Sequence, residues 1–125
     1  MGLVFAGGSL GTLARWAVGR LVPHAARLPL GTFAVNLVGA FVLGVLLEHL
    51  AGRGPDAGRR RALRVTLGTG FCGGFTTYSA LANDTAGLLR AGLAGHALAY
   101  AGGTVLLGLG ATALGIVVAR GRRTA

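Results

Sequence analysis

The sequence predicts an all-α membrane protein: four transmembrane helices, the third of them broken. Three observations carry that prediction. Hydrophobic residues make up 53% of the 125 residues and charged ones only 12%, about half the roughly 25% typical of a soluble domain. The apolar residues form four long stretches with most arginines gathered near their ends, and four spans of ~20 residues consume most of the length. Finally, Gly68 to Gly74 holds four glycines in seven residues, inside a segment without Asp, Glu, Lys or Arg from Val65 to Asn83. Such a glycine density usually marks a surface turn. The apolar flanks place this turn at membrane depth, where non-helical backbone persists only if buried in protein or facing a water-filled path. Carbonyls freed by such a break can hold a cation.

The first span covers about residues 3–22. It carries Gly7, Gly8, Gly11 and Gly19, and the Gly7/Gly11 pair is the small-residue spacing that lets helices approach closely. It reads as a span and not a signal peptide, because no basic region precedes it and the apolar stretch runs too long. Arg15 lies inside this span, where an uncompensated charge costs at least ~2.5–3.5 kcal/mol. Two readings are open: snorkelling to the interface beside Trp16, or a pore-mouth charge that concentrates anions.

After a short loop, Pro23 to Leu28, the second span covers about 29–50. Pro29 suits a first helical turn. Thr32, Asn36 and Gly39 share one face. The Asn36 amide needs a partner in apolar surroundings, either as glue between helices or as a donor to an anion. Glu48 and His49 close the span as interfacial residues. The loop Ala51 to Arg61, with its Gly, Pro, Asp and arginine run, is solvated.

The third span covers about 62–89 with its break near 70–77. At ~1.5 Å per residue it exceeds one straight crossing, which fits two half-helices. Asp84, beyond the break, caps a helix or pairs with an arginine. The fourth span covers about 97–119, followed by a short basic tail. Tyr100, Thr104, Gly108 and Thr112 recur every four residues along it, either as a packing stripe whose threonines bond their own backbone or as hydroxyl donors along a conduction path.

The charge distribution excludes one function class and sets an orientation. The net charge is +9, but the arginines cluster at the ends of apolar stretches instead of forming a nucleic-acid-binding face. The lone cysteine, Cys72, rules out an intrachain disulfide and a multi-cysteine metal site. In a four-span topology Arg53, Arg59, Arg60, Arg61, Arg64, Arg120, Arg122 and Arg123 fall on one side, against Arg20, Arg27 and Arg90 on the other. The positive-inside rule places the termini in the cytoplasm, in a multi-pass protein of the cell membrane with one fixed topology.

Three motifs together give a family resemblance over essentially the whole chain. They are Gly7-Gly8-x-x-Gly11-x-x-x-Arg15-Trp16, Pro29-x-Gly31-Thr32-x-x-x-Asn36-x-x-Gly39, and Gly70-Phe71-Cys72-Gly73-Gly74-Phe75-Thr76-Thr77-Tyr78-Ser79. In this the sequence resembles the CrcB/Fluc fluoride channels. The resemblance implies an antiparallel dimer in the lipid bilayer, with the broken third helices crossing at its centre. It implies a structural Na+ held by the backbone carbonyls of Gly73 and Thr76, and two fluoride paths beside it. Asn36, Tyr100 and Thr104 match the path lining, with Thr32 as neighbour and Arg15 at the pore mouth. Where the family has two phenylalanines after the break, this sequence has Tyr78 and Leu81, and Gly108 replaces a frequent pore serine. The missing ring and the arginine bias favour one half of a heterodimer with an oppositely inserted homologue, although a homodimer stays open.

The resemblance implies passive fluoride export that lowers fluoride toxicity. Fluoride is small and strongly hydrated, so its path must replace water with donors such as the Asn36 amide, the Thr104 hydroxyl and aromatic ring edges. Two alternatives remain. A small proton-coupled multidrug exporter needs an embedded carboxylate, which the first span lacks, and Glu48 is terminal. A non-transporting scaffold would use the glycine faces but not the break. No nucleophile lies near a base, so no enzyme reading has support.

Overall fold

The computed structural model describes residues 1–22 and 28–124. The connection expected over 23–28 lies outside them except for Leu28. Its elements are all helical: α1 (Gly2–Leu21), α2 (Leu30–Leu50), α3 (Gly58–Leu63), a π-helical segment (Arg64–Cys72), α4 (Gly73–Phe75), α5 (Tyr78–Arg90) and α6 (Ala94–Thr124). The helical run from Gly58 to Phe75 forms one rod. Two helices, α2 and α6, are each long and apolar enough to cross a membrane.

Packing is interleaved. α1 lies along the π-helical segment and α4, α2 lies along α6, and α5 packs mainly on α6. The contact surfaces are made by glycines. A Cβ at Gly7 would run into the Thr66 carbonyl, one at Gly11 into the Phe71 carbonyl, and one at Gly74 into the Gly8 carbonyl. Gly44 likewise meets the Thr112 backbone and Gly115 the Phe41 backbone, which draws α2 and α6 together. Close backbone approach of this kind is how helices associate where lipid removes the usual hydrophobic drive.

Few large side chains are hidden. Val35 is 2% exposed, whereas Phe5 is 78% and Leu98 76% exposed. A surface of large apolar side chains on this scale would be a liability in water and is what a bilayer solvates. A small core forms where α5 meets α6: Leu81, Leu88, Ala97 and Tyr100, with Leu28, Phe33 and Leu93 against it.

One expectation needs correction. The glycine cluster does not make the break. Residues 68–74 are helical, and the backbone leaves the helix only at Thr76 (φ −80°, ψ 159°) and Thr77 (φ −151°, ψ 116°). The physical reason is contact: Gly70 and Gly74 are needed against α1, so their missing side chains serve packing and not unwinding. The basic tail prolongs the last helix. α6 continues to Thr124 because its arginines bind the end of α2: Arg120 Nε lies 3.2 Å and Arg123 Nη1 3.5 Å from Glu48 Oε1. Arg123 also donates to the Glu48 and Ala51 carbonyls, as suits a cation at a helix C-terminus. Trp16 is stacked by Arg20, 5.0 Å from the ring centroid. In the 51–57 connection, Asp56 accepts from Arg64 Nη2 at 2.6 Å and Nε at 3.1 Å. These bonds hold its carboxyl below the ordinary range.

Gly11→Ala should lower the melting temperature of the purified protein, by the equivalent of about 1–3 kcal/mol for overpacking. Gly102→Ala, where a Cβ meets nothing within 4 Å, should not; equal effects in a melting series would show that the α1 contact is loose.

Candidate ion site at the helix break

A break leaves polar backbone groups without their helical partners, and in apolar surroundings each must be satisfied. The site grows from how this chain does so. Thr77 is 8% exposed. Its amide, which in a continuous helix would bond the Gly73 carbonyl, donates instead to Asn36 Oδ1 at 2.7 Å. Asn36 Nδ2 donates back to the Thr77 carbonyl at 3.1 Å. One side chain on α2 thus closes both ends of one residue of the break.

The neighbouring groups finish the job. The Thr76 amide and hydroxyl both donate to the Cys72 carbonyl, at 2.9 and 2.8 Å, which ends the rod. Thr77 Oγ1 accepts from the Ala80 amide at 3.1 Å and so caps α5. The Thr76 carbonyl receives Arg15 Nη1 from α1 at 3.4 Å. The α2 face read from sequence does turn to the break: Gly39 admits the Thr76 side chain, and Asn36 and Thr32 follow on the same stripe.

The expected residues fall into three places. Asn36, Tyr78, Leu81 and Thr104 line one open groove with Thr76 and Thr77. Arg15 and Thr32 line a second, on the other side of Thr77, with Val35, Ser79 and Asn83. Tyr100 is buried between them, its hydroxyl donating to Asp84 Oδ2 at 3.2 Å. Asp84 thus accepts from Tyr100, and among the described residues it has no ion-pair partner. Tyr78 is 83% exposed, whereas Leu81 is 9% exposed and belongs to the α5–α6 core.

The donors available to an anion are few. Asn36 keeps one N–H after its bond to Thr77, since an amide nitrogen carries two. The Thr104 hydroxyl donates to the Tyr100 carbonyl at 2.6 Å, and Thr112 donates to the Gly108 carbonyl at 3.0 Å. Thr104 thus bonds its own backbone, and the Thr112 hydroxyl also reaches the Ala40 carbonyl on α2 at 3.3 Å. Among the described residues no buried side-chain N or O lacks a partner.

For a cation the relevant groups are main-chain oxygens. Among the described residues no three His, Cys, Asp or Glu side chains come together. The Gly73 carbonyl is freed by the Asn36–Thr77 exchange, and Gly73 itself is exposed. The Thr76 carbonyl is engaged by Arg15 through one long bond, and its second lone pair is open. The oxygens suit a hard ion, but two from one chain make only part of a coordination shell.

Sequence reading missed Thr77 and Ser79. The signal for Thr77 was present, a hydroxyl residue just before a helical stretch, but it stood beside a louder glycine cluster.

These features define a helical membrane protein with a backbone break held open by side chains from two neighbouring helices. Comparison with known proteins makes the assignment specific. The profile described as CrcB-like protein, Camphor Resistance (CrcB), matches residues 2–116, and the chain belongs to this family. It is 52% identical over 116 residues to Fluoride-specific ion channel FluC 2 of Leifsonia xyli subsp. xyli, covering 93% of this chain and 80% of that one. It is 46% identical over 118 residues to Fluoride-specific ion channel FluC 1 of Mycobacterium bovis, covering 94% and 87%. With Fluoride-specific ion channel FluC of Caulobacter vibrioides it shares 41% identity over 120 residues, covering 94% and 93%.

Replacing Asn36 by Leu, similar in size but unable to bond, should orphan the Thr77 amide and carbonyl. The expected loss is about 1–3 kcal/mol per unsatisfied group, read as a lower melting temperature with faster hydrogen exchange at Thr77. Unchanged exchange there would mean that another group holds the break.

Proposed function

We infer that this protein is a fluoride-selective ion channel that lets fluoride leave the cytoplasm passively and so reduces its toxicity. The observation that carries this reading is the Asn36–Thr77 exchange, in a chain of this family. It builds an open groove at the break and aims a single amide N–H along it. Fluoride surrenders strongly bound water only to donors already in place, and an Asn locked by two hydrogen bonds is such a donor. The exposed Tyr78 edge adds the positive rim of a ring. The Arg15 guanidinium raises the local anion concentration from the neighbouring groove.

The working unit is an antiparallel dimer of four-span subunits. Support comes from the freed, outward Gly73 carbonyl beside a partly open Thr76 carbonyl. Two copies facing each other would supply four oxygens to one Na+, which would tie the breaks together as a structural ion. The spans are α1, α2, the rod with α5, and α6, with both termini in the cytoplasm of a cell-membrane protein. The arginine bias and Leu81 favour a heterodimer, in which the path with Leu81 conducts weakly.

The proton-coupled exporter reading loses ground on Glu48, which lies near the end of α2, paired with Arg120 and Arg123, and not in the middle of the span. The driving force for export needs no ATP. Hydrogen fluoride enters neutral, loses its proton inside, and the anion runs down its electrochemical gradient.

Fluoride efflux from liposomes, read with a fluoride electrode, tests both parts. Efflux from this subunit alone would establish a homodimer; efflux only with a co-encoded homologue would establish the heterodimer. Absence in both would remove the channel assignment. In the active assembly Tyr78→Ala should slow efflux about tenfold, the equivalent of roughly 1.4 kcal/mol, with little change in melting temperature because the ring is outside the subunit core. A large stability loss without a flux change would assign Tyr78 to packing.

A further inference from the structure

The end of the α2–α6 pair holds a second polar feature that ion passage does not use. Beyond the apolar parts of both helices opens a cleft of ≈ 140 Å³. Val45 and Val118 form its floor, and His49, Arg53, Arg122 and Arg123 stand around it. The charges do not balance. Glu48, next to His49, is held by Arg120 and Arg123, Asp56 is held by Arg64, and among the described residues Arg53 and Arg122 have no ion-pair partner. Two guanidinium groups on one small cleft repel each other unless an anion lies between them.

We propose that this cleft is a binding site for the phosphate headgroup of an anionic phospholipid in the adjacent leaflet. Three features select that occupant. At ~30 Å³ per water the cleft has room for a headgroup but none for a folded polypeptide. Its polar rim is basic, and guanidinium groups match phosphate oxygens in paired hydrogen bonds. Its floor is apolar, which a soluble anion does not need. The floor continues along the helices: Val38, Val42 and Val45 share a stripe on α2 that ends at His49, and Leu114 and Val118 share one on α6 that ends at Arg122. Val38, Val42 and Leu114 are exposed, so an acyl chain could lie along this track. Basic pockets between membrane helices bind anionic headgroups in this manner. The proposal rests on membrane placement alone and is independent of which ion the protein conducts.

The test uses the full-length protein in detergent with dioleoyl phosphatidylglycerol, dioleoyl phosphatidylcholine or inorganic phosphate added. Lipid retained is read by native mass spectrometry, beside the melting temperature. The expected result is preferential retention of phosphatidylglycerol with a raised melting temperature. Arg53→Gln/Arg122→Gln should cut that retention about tenfold or more, given the contribution of each basic residue at a membrane surface. Arg59→Gln/Arg61→Gln removes the same charge from exposed positions outside the cleft and should leave retention intact. Equal retention of both lipids by the unaltered protein would overturn the site. Equal loss in the two double variants would do so as well, by reducing the effect to overall charge. Stabilisation by inorganic phosphate as large as by phosphatidylglycerol would replace the lipid with a soluble anion and overturn the assignment.

Discussion

The structure depends on one exchange of hydrogen bonds. By taking the Thr77 amide and carbonyl onto a single side chain, Asn36 makes a helix break tolerable in a place where water cannot repair it. Remove the exchange and two buried backbone groups lose their partners; keep it, and the Gly73 carbonyl is released from the helix. The same pair of bonds therefore accounts for the stability of the break and for the exposed polar groups around it. Arg15 plays the complementary part at Thr76. A charge that would be costly alone on α1 lies against a carbonyl that would otherwise be under-used.

What brings α1 and α2 close enough to serve the break is the absence of side chains. Glycines at 7, 11 and 74 let α1 touch the rod backbone to backbone, and Gly39 lets α2 close over Thr76. The α2–α6 pair uses the same device at Gly44 and Gly115. In a protein whose large apolar groups face outward, this backbone contact takes the place of a thick hydrophobic core. The polar side chains can then act at fixed distances.

Much of this was legible in the sequence. Asn36 announced itself as the amide within an apolar span, sharing a face with Thr32 and Gly39; that this face meets the break came from the structure. A break near 70–77 was legible from glycine density, but which residues of that stretch leave the helix was not. Density alone cannot separate a glycine that unwinds a helix from one that lets a neighbouring helix in, because both call for a missing Cβ. The α6 stripe posed a similar ambiguity. A polar or small residue every fourth position looks the same whether it faces a path, a neighbouring helix or its own backbone; Thr104 bonds its own backbone, and Thr112 reaches both its own and that of α2. Tyr100 with Asp84 was illegible for a different reason, since the two meet across separate helices and share no periodic pattern. Nothing in the sequence patterns foreshadowed the π-helical geometry of Arg64–Cys72.

The interleaved pairing has a consequence for biosynthesis. α1 packs on the rod and α2 on α6, so neither of the first two helices finds its main partner in the next one made. Arg15 waits for Thr76 and Asn36 for Thr77, 61 and 41 residues further along the chain. Until the break has been synthesised, each leading helix must carry an unsatisfied polar group. Pairing each helix with the next one made would leave Arg15 and Asn36 without these partners, so the synthesis of the break, and not of α6, is the point at which both can be satisfied.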